Sequence, residues 1–200
     1  MSETPVNYGI QQECSPLSVA LVHYPVEDRA GKIVATNITN FDVHDIARVS
    51  RSYGVEKYVI IHRLQEQLMF VARLLDHWRV GRGATFNPKR RTALNNVVLA
   101  ENLKEALALF TKRPLVVATA ARDLEQAPPI TFRQLRSRLE EDPGEKVLLL
   151  FGTGCGLATE IIEQCDYILE PIAGAAADHY RHLSVRSAVS ICLDRLRGTW

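Results

Sequence analysis

The sequence has few cysteines: Cys14, Cys155, Cys165 and Cys192 are the only four in 200 residues, and no two stand in Cys-x-x-Cys spacing. A chain of this length does not need disulfide staples, so the four read as reduced thiols of a cytosolic protein. Long hydrophobic runs are also missing. No stretch approaches 18 apolar residues, so nothing in it spans a membrane as a helix. Residues 1–16 are polar and lack an apolar h-region, so they read as a loose tail and not as a secretory signal. Neither charge sign dominates: 24 basic against 23 acidic side chains leave a formal net charge of +1. A nucleic-acid partner would therefore need a local basic surface. No repeat or low-complexity linker divides the chain, and residues 17–200 read as one domain.

What is present is enough apolar material, 46% of residues, to bury a core. Strands are expected at 17–24, 56–62, 96–100, 115–120, 146–151 and 167–169. Helices are expected at 42–53, 65–80, 103–112, 131–141, 157–164 and 184–196. Within 65–80, Leu68, Val71, Leu74, Leu75 and Trp78 fall at helical spacing. Thr131 and Gln134 are placed like a capping box. The strands are apolar on both faces and alternate with helices, which predicts an α/β fold: a mostly parallel sheet with helices on both faces. Ligands of such sheets sit at the carboxyl ends of strands. Attention therefore falls on Thr119, on 152–156 and on 170–174.

Gly152-Thr153-Gly154-Cys155-Gly156 lies between an apolar strand and a helix. Glycines there let backbone approach a ligand, and a helix N-terminus offers free N–H groups. A Rossmann-type site, with Glu170 on ribose hydroxyls, is one reading. Its loop belongs after the first strand, however, and only 44 residues follow Gly156. A nucleophile elbow around Cys155 fails, because Thr153 and Leu157 stand where it needs glycine. A tight turn without a ligand is the third reading, and the loop alone does not exclude it.

The segments that follow carry a resemblance. Leu169-Glu170-Pro171-Ile172-Ala173-Gly174, then His182 to Ala188, then a terminal helix ending Leu193-Asp194-Arg195-Leu196, resemble the last motif of SPOUT (α/β-knot) methyltransferases. Phe151 to Leu157 resembles the motif before it. Asn40 to Gly54, with Arg48 six residues before the glycine, resembles their first motif. From Leu17 to Gly198 the chain is similar to a family of predicted SPOUT RNA methyltransferases, through His23-Tyr24-Pro25, Thr39 to Arg48, His77-Trp78 and Asn87-Pro88.

The resemblance implies a C-terminal trefoil knot, a rare feature in proteins. It also implies S-adenosylmethionine as cofactor, a homodimer and an RNA substrate, tRNA or rRNA. Thr119, Phe151, Gly152, Thr153, Gly154, Gly156, Leu169, Glu170, Pro171, Ile172, Leu183, Ser184 and Val185 would hold the cofactor. Several SPOUT methyltransferases carry glutamate in the glycine loop, where Gly154 stands here. The ribose-methylating branch has asparagine and serine at the positions aligned with Ser184 and Arg186, so base methylation is favoured over ribose 2′-O transfer.

Arg48 matches the arginine that orients the target in that branch. Asp42, His44, His182 and Arg186 are the other candidates for the reacting end, and Arg186 could hold a phosphate or pair with a carboxylate across a dimer. His179 and His182 form an H-x-x-H pair, but no cysteine or carboxylate pattern completes a zinc set. Between Asp76 and Glu101 there is no acid; Arg79, Arg82, Lys89, Arg90 and Arg91, with Phe86 among them, read as a basic loop for RNA contact. Val185, Val189, Leu193 and Leu196 form a stripe suited to core or dimer interface. With little beyond one domain, substrate selection would draw on an accessory RNA-binding protein. The alternative to an enzyme is a non-catalytic knot domain that binds RNA or S-adenosylmethionine within a larger modification complex.

Overall fold

The computed structural model describes residues 16–199, so the 1–16 tail, apart from Pro16, lies outside the described residues. The elements run β1 (Leu17–Val22), β2 (Val26–Glu27), β3 (Ile33–Val34), α1 (Asn40–Ser52), β4 (Tyr58–Ile61), α2 (Gln65–Arg79), α3 (Arg82–Phe86) and α4 (Pro88–Leu94). They continue with β5 (Val97–Ala100), α5 (Leu103–Ala108), β6 (Leu115–Ala118), β7 (Pro129–Ile130) and α6 (Phe132–Glu141). Last come β8 (Val147–Gly152), α7 (Thr159–Ile162), β9 (Tyr167–Leu169) and α8 (Val185–Arg197).

Seven strands form one parallel sheet in the order β5-β4-β1-β8-β6-β9-β7. Every residue of β1 is buried, as the central strand of a doubly covered sheet must be. Alternation then sorts its side chains. Leu17, Val19 and Leu21 join the layer of α1, α2, α4, α6 and α8. Ala20 and Val22 join the opposite layer, with α5 and α7. The chain winds outward from β1 through β4 to β5, then returns to place β8 between β1 and β6. The winding changes direction at the β1–β8 pair, which is where an open α/β sheet leaves a crevice.

Local chemistry sets the helix ends. Thr39 Oγ1 accepts from the Asp42 N–H at the start of α1. Thr131 and Gln134 close the expected capping box of α6, at 3.1 Å and 2.9 Å. Tyr53 Oη donates to Asp194 Oδ1 at 2.8 Å and ties α1 to α8.

One expectation needs correction. The basic stretch expected to be a loop contains two short helices, because Asn87 caps α4 through Arg90 N–H and Pro88 occupies its first position. Of the α8 stripe suited to core or interface, Val189, Leu193 and Leu196 are buried in the core of the chain, with Val185 partly buried against it.

Candidate functional site

A cleft of about 1340 Å³ opens at the carboxyl ends of β1, β8, β6 and β9. Thr119, the loop from Phe151 to Leu157, Leu169, Glu170, Ile172, and Leu183 to Val185 line it. Three chain segments far apart in sequence, named above as cofactor candidates, thus border one volume. Pro171 is half-buried between two of these residues.

The glycine loop is held by main chain. Thr153 N–H donates to Val22 O, Cys155 N–H to Glu27 O, and Glu27 N–H to Gly156 O. The β2–β3 hairpin, not foreseen from the sequence, is therefore the loop's outer support. Helix α7 begins only at Thr159, so the loop is not itself a helix N-terminus. A Cβ on Gly152 would stand 2.4 Å from Leu157 N and 2.7 Å from Gly156 C, so only glycine lets the loop close there. At Gly154 φ is +63°, and a Cβ would point at Glu27 O, 3.1 Å away. A side chain at 154 would thus strain the loop against the hairpin, not fill the cleft. At Gly156 a Cβ would meet nothing within 4 Å, and φ is +120°. A cradle of closely approached backbone fits an adenosyl group, which needs positioning more than acid–base help.

The carboxylate of Glu170, the rival ribose ligand, accepts from Phe132 N–H at 2.7 Å and so caps α6. Thr119 is similarly engaged, its Oγ1 donating to Leu150 O at 2.8 Å.

Asp42, Arg186 and His182 also line the cleft. Asp42 is buried; its Oδ1 accepts from Arg186 Nη1 at 2.7 Å and its Oδ2 from Thr39 Oγ1 at 2.6 Å. Arg186 also lies 3.7 Å from Asp45. The carboxylate partner considered for Arg186 across a dimer is thus found within the chain. His182 is exposed and meets Tyr180 edge to face.

The structure does not bring Arg48 or His44 into this cleft. Arg48 borders a shallow depression with Asp45, Val49, Ser52 and Tyr53. His44 packs edge-on against Trp78, and burial and then Arg90 push its pKa below the ordinary histidine value.

The basic residues divide as well. Arg79 donates to the carbonyls of Leu94, Asn95 and Val97 at 2.5–3.3 Å, which makes it a clamp on the end of α4. Arg90 lies over the Trp78 ring at 4.8 Å. Arg82, Lys89 and Arg91 are exposed, beside the exposed ring of Phe86.

His23 belongs to the His23-Tyr24-Pro25 element but not to the site residues expected from the sequence. It follows β1 directly, is fully buried, and lines the cleft. The carboxyl end of the central strand β1 borders the cleft as those of β6, β8 and β9 do, and that position is the signal that points to this residue. Burial pushes the His23 pKa down from 6.5 to about 4, with Asp42 opposing and His62 assisting.

The family model of SAM-dependent RNA methyltransferases matches residues 16–198. A tRNA (guanine-N(1)-)-methyltransferase of Oleidesulfovibrio alaskensis is 43% identical over 186 residues, covering 91% of this chain and 42% of its own length. The chain therefore spans less than half of that relative. An uncharacterized protein of Aquifex aeolicus is 39% identical over 182 residues, covering 89% of this chain and 86% of its own. Among solved structures, a TrmH/SpoU tRNA modifying enzyme of Aquifex aeolicus superposes with a TM-score of 0.52 at 20% identity, covering 93% of this chain and 78% of that one. That last likeness is one of fold alone, the fold of the SPOUT methyltransferases.

Proposed function

The chain belongs to the family of SAM-dependent RNA methyltransferases, and from that membership we propose that it transfers a methyl group from S-adenosylmethionine to a nucleobase of tRNA or rRNA. The observation that carries this reading is the single cleft in which the glycine loop, the 169–172 segment and the 183–185 segment meet. The cofactor would lie along those three segments, with the methyl donor toward Asp42, Arg186 and His182. The cofactor supplies an electrophilic methyl group; the chain's own task is to hold the acceptor in line with it.

Two positions favour a base over a ribose hydroxyl. Ser184 uses its hydroxyl to cap α8, accepting from Ser187 N–H at 3.3 Å. At 186 a guanidinium committed to Asp42 stands where the ribose branch has serine. Arg82, Lys89 and Arg91 supply phosphate contacts. The terminal segment forms the trefoil knot, with α8 held to α1 by Tyr53–Asp194 and to α6 by Arg136, which donates to Arg195 O and Gly198 O. The protein works as a cytoplasmic homodimer. Arg48 does not line its own cleft, so the second copy is what brings it to a site. An accessory RNA-binding protein selects the substrate. No described helix is long and apolar enough to cross a membrane.

The test is mass spectrometry of tRNA and rRNA nucleosides from a deletion strain, with transfer of labelled methyl to bulk RNA in vitro. One methylated base should disappear from the strain and return with the purified protein. Cofactor binding without transfer to any RNA would instead make the chain a non-catalytic knot domain.

A further inference from the structure

A chain of two hydroxyls links the buried His23 ring to the Val22 carbonyl. Thr153 Oγ1 lies 3.1 Å from Val22 O, an oxygen that can only accept its proton. Thr36 Oγ1 lies 2.5 Å from Thr153 Oγ1, and when the Thr153 proton goes to Val22 O, Thr36 is the donor of that pair. With its proton given away, Thr36 Oγ1 can only accept from His23 Nδ1, 3.0 Å off. That arrangement, which uses both hydroxyl protons and keeps the Val22 carbonyl paired with Thr153 Oγ1, puts the His23 proton on Nδ1 and leaves Nε2 a bare lone pair.

The second buried histidine fits the same network without disturbing it. His62 Nδ1 accepts from Leu64 N–H at 2.9 Å, so its Nε2–H donates to Thr36 O at 3.1 Å. That leaves His62 satisfied on both sides and holds Thr36 in place by its main chain. The His23 ring is then fixed by a relay that ends on the glycine loop, because Thr153 belongs to it.

His23 Nε2 is buried and has no hydrogen-bond partner among the described residues. A buried acceptor left unpaired is costly, and such groups are kept where a ligand completes them. The residue borders the cleft at the β1–β8 switch point, beside Gly152, Thr153 and Asp42. A neutral imidazole with a fixed lone pair suits an N–H donor. Amino and imino N–H groups on a nucleobase edge are such donors, and the base-methylation reading above selects them over a ribose hydroxyl, whose O–H the same lone pair would also accept.

We propose that His23 Nε2 accepts a hydrogen bond from an amino or imino N–H of the target nucleobase and so positions that base against the methyl donor. The inference rests on the RNA methyltransferase reading above. His23 is a positioning residue in this scheme; no proton need leave the base through it.

The test uses two amide substitutions on the full chain. In His23→Asn the amide can reach the place of Nδ1, keeping a donor to Thr36 while removing the acceptor. In His23→Gln the amide oxygen can reach the place of Nε2. His23→Asn should lower kcat/KM for RNA roughly tenfold or more, the worth of one hydrogen bond. His23→Gln should recover part of that loss. Calorimetric affinity for S-adenosylmethionine should stay within about twofold in both, which also reports that they fold. Nitrogen-15 NMR of the parent should show His23 protonated at Nδ1 and not at Nε2, whether or not a variant folds. Parent-like turnover in folded His23→Asn overturns the proposal. Loss of cofactor affinity in that variant overturns the nucleobase as the donor, and an Nε2-protonated ring overturns the tautomer. A parent that binds cofactor yet methylates no RNA overturns the underlying functional reading instead.

Discussion

Acid should destabilise this fold through His23 by an amount the structure sets. Burial lowers the folded-state pKa to about 4 against an unfolded value of 6.5, while Asp42 pulls upward and His62 pushes further down. Above pH 6.5 neither state binds the proton, and stability is complete. As the pH falls below 6.5 the unfolded chain takes up the proton and the folded chain does not, so stability is lost until about pH 4. The full window of about 2.5 pH units corresponds to roughly 3 kcal/mol at 1.36 kcal/mol per unit. By pH 4.5 about 2.5 kcal/mol of that should have gone. Urea unfolding at pH 7.5 and pH 4.5 measures it directly, in the parent and in His23→Asn. His44 and His62 are also pushed down by burial and add loss of the same sign, but they remain in both proteins and cancel in the comparison. The variant's pH dependence should therefore be shallower by about 2.5 kcal/mol. Equal pH dependence in the two proteins would refute the assignment of His23 as a buried neutral imidazole.

Other consequences are open to simpler measurements. Gly152→Ala places a methyl against Leu157 N and Gly156 C, so cofactor affinity by calorimetry should fall more than tenfold; unchanged binding would remove this loop from the pocket. Changing Arg82, Lys89 and Arg91 together to alanine should weaken RNA binding about tenfold and flatten its salt dependence, with cofactor affinity unaltered. Arg79→Ala leaves the carbonyls of Leu94, Asn95 and Val97 without that donor and should cost about 2 kcal/mol in urea melts; an RNA defect with full stability would return Arg79 to the RNA surface. Light scattering at micromolar concentration should give twice the chain mass.

The sheet was legible because its strands are short apolar runs separated by helices with clear periodicity. Tyr167–Leu169 falls where the sequence places it, and the α6 cap is written in Thr131 and Gln134. The hairpin and β7 were not legible: strands of two residues carry no period to detect. Helices α3 and α4 hid inside a composition of glycine, asparagine and proline, although Asn87-Pro88 is itself a cap followed by a first-position proline. At the site, the sequence could nominate the three segments around the cleft, since glycines and motif order mark them. It could not tell which charges were already engaged. Arg79, Glu170 and Arg186 look available as letters, and each is bound to main chain or carboxylate in the fold. His23 shows the opposite case, an ordinary letter whose meaning comes only from being buried beside Thr36.

The hairpin that supports the glycine loop does so through the peptide groups of Glu27 and Gly156, with Cys155 N–H on the same carbonyl of Glu27. Peptide groups are common to nearly every residue, so this support does not depend on which side chains the hairpin carries. Its tip, Arg29 to Ile33, is exposed. Exchanging those side chains would alter the charge and shape of the cleft's rim and leave the loop's anchorage as it is. The rim is thus the part of this site with room to drift toward new partners, while the floor beneath it is held by contacts that substitution scarcely touches.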